Sequence, residues 1–391
     1  MQPSLEAAPI TRSGKTQASP HHFSFVDSLR GFAILGVLMV HVGNSIPIKT
    51  PRLRAITDAG ENGVMLFFVV SAFTLFWSLR NRMRVDRAPL KAFFVRRFFR
   101  IAPLFWAGMV FYLIFPDANR SDFAPNGIGW PQIVTTFFFV HGWYPTTINS
   151  IVPGGWSIAA EVTFYFCIPI LFKQIRTLCG AIWLAVITTG VAKAVELLGT
   201  HLLMRRFPAS WRDLIGDFQY WIFPAQLPVF CLGIVLYFVL LRQMPNELSI
   251  TVPKRKWAYC LLAVALVIIL GNTPEQVKFA VAFVLLAWAL ATHHLPILVN
   301  PVTRFVGQVS YSIYIWHFFV LQWIAPLLLP RVHPFHKSVL NEMTACVVLM
   351  AVLLALSTVV AAISYHVIEL PSQKLGKRLI QRAGWGASGV S

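Results

Sequence analysis

Eleven apolar runs divide the chain, and most approach the ~20 residues that a bilayer core demands of a helix. They fall at 28–46, 62–79, 101–116, 131–143, 156–172, 178–198, 220–241, 257–271, 277–293, 307–329 and 342–368. Short polar loops join them and leave no room for an appended soluble domain. Composition agrees: 57% of the residues are hydrophobic and 12% charged, against roughly 25% charged in soluble domains. These features imply an all-α polytopic membrane protein of about ten transmembrane helices, with the lipid bilayer as solvent. The run 131–143 is short for a span and is followed by a Gly-Pro-rich break from Pro145 to Gly155. It reads as a re-entrant or half helix, which is tolerated only where it is buried in protein or lines a cavity.

The formal net charge of +18 would suggest nucleic acid in a soluble protein. Here the basic residues cluster between apolar runs, so the membrane accounts for them and no nucleic-acid partner is expected. With the N-terminus placed inside, 22 of the 33 lysines and arginines fall in inner segments and 10 in outer ones. The bias puts both termini in the cytoplasm, and the eight basic residues between Arg80 and Arg100 weigh most. Residues 1–22 are polar, broken by Pro3, Pro9 and Pro20, and read as a disordered cytoplasmic segment without the order of a cleavable signal. Residues 23–371 form the membrane domain. Residues 372–391 read as a basic cytoplasmic tail that lies on or frays from the inner surface. The five cysteines fall in or beside apolar runs without a CxxC pair, so neither disulfides nor a metal site is expected.

Polar residues inside apolar runs are expensive and are functional candidates by default. The first run, FVDSLRGFAILGVLMVHV, carries Arg30 and, eleven residues later, His41. Eleven residues at about 100° each make about three turns, so the two share a helix face about 16 Å apart. The plainer alternative makes Arg30 a positive-inside anchor and His41 a lone polar residue near the far interface. Glu161 lies four residues after Ser157, on the same helical face. It is either a site carboxylate or half of a structural ion pair with Lys193 or an arginine. His317 closes SYSIYIWH and could equally belong to an interfacial aromatic belt. Arg97 and Arg100 lie in RRFFRIAP, where the positive-inside rule alone explains charge. Glu369, just before Pro371, reads as a helix-end carboxylate. The sequence has no GxSxG elbow, HExxH motif or phosphate-cradling glycine loop. What remains is histidine, carboxylate and arginine on helices that could converge, with a basic rim suited to a polyanionic cosubstrate.

These residues stand in motifs that resemble acyltransferase family 3, integral-membrane proteins that transfer acetyl and related groups to carbohydrates. DSLRG with His41 resembles the family's Arg/Lys-x10-His signature. ENGVMLFFVVSAF (61–73) resembles its second-helix pattern, with Ala72 where glycine is usual. FVRRFFRIAPLFW (94–106) resembles its Arg-x-x-Arg stretch, and WSIAAEVTFY (156–165) its Trp-Ser-Leu-x-x-Glu segment. SYSIYIWH (310–317) and VIELP (367–371) resemble its late-helix motifs. The resemblance runs in order through nearly the whole apolar chain.

It implies a roughly ten-helix fold, cytoplasmic acyl-CoA (most often acetyl-CoA) as cosubstrate, and no metal or other cofactor. The acceptor would be a hydroxyl of a cell-surface or exported carbohydrate or its lipid-linked precursor, at the bacterial inner membrane. Glycan-synthesis or export machinery would be the protein partner. On that reading His41 is the general base. Glu161 orients His41 or binds the sugar, with Ser157 hydrogen-bonding Glu161. Arg30, Arg97 and Arg100 hold the CoA, and His317 joins them in binding substrate. Two alternatives remain: a proton-coupled transporter with a His41–Glu161–Lys193 relay, and a glycan-export component without chemistry.

Overall fold

The first helix, α1 (Ser24–Ser45), is the hub on which the other elements pack. The computed structural model describes residues 23–116, 120–243, 276–293, 295–328 and 339–386. The helix is continuous, and Leu29, Ala33, Ile34 and Leu38 on it are fully buried. It is followed by α2 (Pro51–Asp58), a 3₁₀ turn (Ala59–Asn62) and α3 (Gly63–Met83). Late in the chain α12 (Pro301–Gln308) crosses α1 on its other side.

Both crossings are made backbone to backbone. A Cβ added at Gly31 would strike the Thr303 carbonyl oxygen of α12, and one at Gly63 would strike the Ala33 carbonyl oxygen. Small residues do this work in membrane bundles because lipid is as apolar as leucine. Without a hydrophobic force between helices, close packing and hydrogen bonds must hold them. Ser28 Oγ adds such a bond to Thr303 Oγ1, at 3.0 Å.

Around this pair stand α4 (Pro89–Ile114), α5 (Arg120–Phe123), α6 (Trp130–Phe137), α7 (Gly155–Gln174), α8 (Leu178–Arg206), α9 (Arg212–Trp221) and α10 (Phe223–Gln243). After them come α11 (Gln276–Thr292), α12, α13 (Ser310–Phe319), a π turn (Val320–Ile324) and α14 (Ala325–Leu328). The chain closes with α15 (Val339–Ser364), a second π turn (Tyr365–Glu369) and α16 (Leu370–Arg382). No strand occurs among the described residues, so the fold is all-α. Seven helical stretches there are long and apolar enough to cross a bilayer. An eighth apolar helix, α11, has 17 residues. The expected run 257–271 and the segment 1–22 lie outside the described residues.

Three boundaries differ from the sequence reading, each for a local reason. The third run was expected from residue 101, but α4 begins at Pro89, whose fixed φ suits a first helical turn. Its extra turns are pinned by Asp86, which accepts from Arg96 at 2.7 Å and lies 3.7 Å from Arg82. Arg97 and Arg100 therefore lie on a helix, three residues apart, and not in a flexible loop. The run 307–329 is split at Val309 into α12 and α13. The basic tail is docked through residue 385. Gly376 of α16 meets the Phe99 ring, and the Ala88 N–H donates to the Trp385 carbonyl at 3.2 Å. The half helix expected at 131–143 appears as α6 and a 3₁₀ turn, His141–Trp143.

Replacing Gly31 by valine should push α1 off α12. Overpacking of this kind costs about 1–3 kcal/mol. The thermal midpoint of the detergent-solubilised protein should fall. Gly190→Ala is the control, because nothing lies within 4 Å of a Cβ at Gly190. Equal midpoints for the two variants would contradict the close crossing.

Candidate active site

Two cavities lie on one side of α1 and meet at Val64 and Tyr314, which line both. The first, about 70 Å³, is lined by Arg30 of α1, Arg97 and Arg100 of α4, and Ser157 and Glu161 of α7. The second, about 410 Å³, is lined by His41, Glu61, Asn149, Trp156 and Trp221 among others. The eleven-residue spacing on α1 thus places Arg30 in one cavity and His41 in the other.

Three guanidinium groups face one carboxylate in the arginine cavity. Arg97 stacks over Phe93 and Tyr165, its guanidinium carbon 5.8 Å from each ring centre. Arg30 is 3.9 Å from Asp27, a loose pair one turn earlier. Glu161 accepts a hydrogen bond of 2.5 Å from Ser71 of α3. The lining itself carries three cations and one anion, with Asp27 beside Arg30 outside it; guanidinium forks match phosphate oxygens, so the cavity suits a polyanion.

Between the cavities stands a septum. Tyr314 Oη of α13 lies 2.7 Å from Ser157 Oγ, and each of these oxygens lies 3.0 Å from the Gly154 carbonyl. With one proton apiece, one hydroxyl bonds the other and the second donates to the carbonyl. Gly154 precedes α7 with φ of 76°, a left-handed conformation that glycine adopts without strain. That turn aims its carbonyl at the two hydroxyls. His141 steadies it from behind, its ring bonded to the Gly155 carbonyl at 3.0 Å.

In the second cavity the His41 ring packs against Phe318 and His317, with ring centres 4.4 and 5.1 Å away. His317 is 0% exposed, and its Nδ1 lies 2.7 Å from the Tyr314 carbonyl. That bond makes Nδ1 the protonated nitrogen and leaves Nε2 a free lone pair, for which the described residues offer no partner. Tyr314 thus does two things: its hydroxyl closes the septum and its carbonyl orients His317.

Several sequence assignments change. Glu161 does not reach His41; it lies in the other cavity, bonded to Ser71. Ser157 bonds Tyr314 and not Glu161, because α7 turns its hydroxyl towards α13. His317 lines neither cavity; it is buried against the His41 ring and does not stand in an interfacial belt. Lys193 pairs with Glu196 at 2.8 Å, so the His41–Glu161–Lys193 relay does not assemble. Sequence reasoning missed Glu61, the carboxylate that shares a cavity with His41. The signal was there: Glu61 stands between Gly60 and Gly63, and a Cβ at Gly60 would strike the Gly36 carbonyl oxygen. That approach brings Glu61 to the outer turns of α1. Glu369 is buried and accepts from Ser312 at 3.0 Å and Gln373 at 3.1 Å, which ties the second π turn to α13 and α16.

The family described as Acyltransferase domain matches residues 23–365. The chain is 28% identical over 225 residues to acyltransferase MdmB of Streptomyces mycarofaciens, covering 54% of this chain and 56% of that one. It is 23% identical over 412 residues to peptidoglycan O-acetyltransferase OatA of Listeria monocytogenes, covering 92% and 57%. The chain thus spans little more than half the length of these relatives. No solved structure matches it.

Tyr314→Phe should remove the hydroxyl's bonds to the Ser157–Gly154 pair, which keep each other as partners, a loss of about 0.5–1.5 kcal/mol. The thermal midpoint in detergent should drop accordingly. An unchanged midpoint would mean that the hydroxyl does not hold the septum.

Proposed function

We propose, from the premise that the chain belongs to the acyltransferase family whose domain spans it, that it is a membrane O-acyltransferase. It moves an acyl group, most often acetyl, from acyl-CoA to a hydroxyl of a surface or exported glycan or its lipid-linked precursor. The observation that carries this reading is the pair of cavities meeting at Tyr314, one holding three arginines and the other His41.

The division suits a donor with a charged end and a neutral reacting end. The CoA phosphates stay at Arg30, Arg97 and Arg100, and the thioester arm threads towards the septum. Burying phosphates deeper would cost several kcal/mol per charge even after relaxation. The septum must part for the arm, because about 70 Å³ holds only a few waters. Breaking the hydrogen bonds at Tyr314 is a modest cost beside the contacts that the arm replaces them with.

His41 then acts as general base, its imidazole lone pair being the proton acceptor that the cavity offers. Its ring nitrogen takes the acceptor hydroxyl proton while the oxygen attacks the thioester carbonyl carbon. The carbon–sulfur bond breaks, the CoA thiolate leaves, and His41 returns the proton to it. His317 fixes the face of the His41 ring by packing and is a positioning residue. Glu161 balances the arginine cluster, so that the cavity holds phosphates without trapping them. Thioester acyl transfer needs neither a metal nor a redox cofactor.

The end of the bundle bearing Arg80, Arg82 and α16 is the cytoplasmic face on this reading, at a bacterial inner membrane with both termini inside. Positive residues favour that side. Glycan-synthesis or export machinery is the fitting partner. MdmB and OatA, each named for acyl or acetyl transfer, support the reaction class.

His41→Ala should lower transfer of radiolabelled acetyl groups from acetyl-CoA about 10²–10⁴-fold with abundance unchanged. Arg100→Ala should instead raise the KM for acetyl-CoA with a smaller effect on kcat. Transfer within a few-fold of the unmodified protein in His41→Ala membranes would remove His41 from the mechanism.

A further inference from the structure

We propose that the histidine cavity is an acceptor subsite built for a neutral or amine-bearing sugar ring, and that Glu61 excludes anionic rings. The inference rests on the acyltransferase reading and adds to it the acceptor's chemical class. At about 410 Å³ the cavity falls within the ~300–1,000 Å³ of small-molecule sites.

One wall is aromatic. Trp156 of α7 and Trp221 of α9 stack with ring centres 5.3 Å apart and planes 7° from parallel. Phe123 of α5 continues the row, 5.4 Å from Trp221. All three line the cavity. Such a row gives the cavity an apolar wall against which the C–H groups of a sugar ring can pack.

Polar groups line the same cavity. Asn149 Oδ1 is buried and has no hydrogen-bond partner among the described residues, although the side chain lines the cavity. A buried acceptor left unpaired is costly unless a ligand supplies the donor, and sugar hydroxyls are donors. Glu61 is exposed, and the space it is exposed to includes this cavity. A carboxylate there can accept two hydroxyls of one ring or pair with a ring ammonium.

The charge balance sets the class. Among the described residues Glu61 lines this cavity, and no lysine or arginine does. Arg54 stands behind Asn44 at 2.9 Å, but its charge is held by Asp58 at 2.9 Å. A uronate or phosphorylated ring would face Glu61 with no cation to offset it. The arginine cavity has the opposite balance, so the two substrates are sorted by sign as well as by side. Glu61 and Trp221 are in none of the assignments made from the motifs.

The test uses the purified full chain in detergent, labelled acetyl-CoA, and three acceptors that differ in one group. They are the 4-nitrophenyl glycosides of glucose, glucosamine and glucuronic acid. Acetyl transfer should favour the glucoside and glucosaminide over the glucuronide by about tenfold or more in kcat/KM, since like charges in a shared site repel. Glu61→Gln should shrink that ratio several-fold. Trp221→Ala should lower kcat/KM for all three by raising the acceptor KM, with the KM for acetyl-CoA little changed. Equal transfer to the glucuronide, or a ratio untouched by Glu61→Gln, would overturn the inference and leave the acyltransferase reading standing. Transfer to none of the three, with labelled acetyl-CoA neither bound nor turned over, would overturn both.

Discussion

Everything in the site depends on α1 being held against its neighbours through bare backbone. Gly31 meets Thr303 on one side, and Gly63 meets Ala33 on the other. In a bilayer no hydrophobic force draws helices together, so such contacts and a few hydrogen bonds set the geometry. They fix the rotation of α1 about its axis. That rotation decides that Arg30 and His41 face the two cavities and not lipid. The same crossings bring in their partners. Gly60, packed on Gly36, delivers Glu61 to the histidine cavity. The α12 crossing leads directly into α13, which carries Tyr314 and His317.

The second organising fact is that charge is partitioned. Arginines cluster on one side of the Tyr314 septum, and the described lining of the other side carries only a carboxylate. For the proposed chemistry this partition lowers the cost of bringing a polyanionic donor to a site deep in the bundle. Its phosphates can stay with the guanidinium groups while a neutral arm enters. The aromatic row then receives the acceptor ring in a space that the phosphates do not reach. Tyr314 is the hinge of this logic, since its hydroxyl and its carbonyl serve different neighbours.

Much of the fold was legible because the bilayer reduces the problem to apolar run lengths, and the seven long apolar helices follow that pattern. The Arg30–His41 relation was legible because it lies within one helix, where spacing alone gives the face. Relations between helices were not. Glu161 and Ser157 share a face of α7, yet sequence could not say that this face meets Ser71 and Tyr314 instead of His41. His317 looked like an interfacial residue because aromatic neighbours suggest a belt. Its burial depends on how α13 packs on α1 and α4. Glu61 was passed over because an acid at the head of an apolar run reads as a loop residue. Only the glycine contacts on either side of it reveal that it is carried inwards. The start of α4 was misplaced because a dense run of arginines reads as a loop, whereas Asp86 neutralises part of it and lets the helix begin at Pro89.

The central claim is that donor and acceptor enter from opposite faces and meet at Tyr314 and His41. Cysteine accessibility in sealed vesicles of known orientation tests it most directly, in a background without the native cysteines. Ser71→Cys reports the arginine cavity and Asn149→Cys the histidine cavity. The account predicts that an impermeant maleimide labels Ser71→Cys only from the face bearing Arg80 and α16, and that acetyl-CoA protects it. Asn149→Cys should be labelled only from the opposite face, with no protection by acetyl-CoA. Labelling of both from one face, or protection of Asn149→Cys alone, would contradict it.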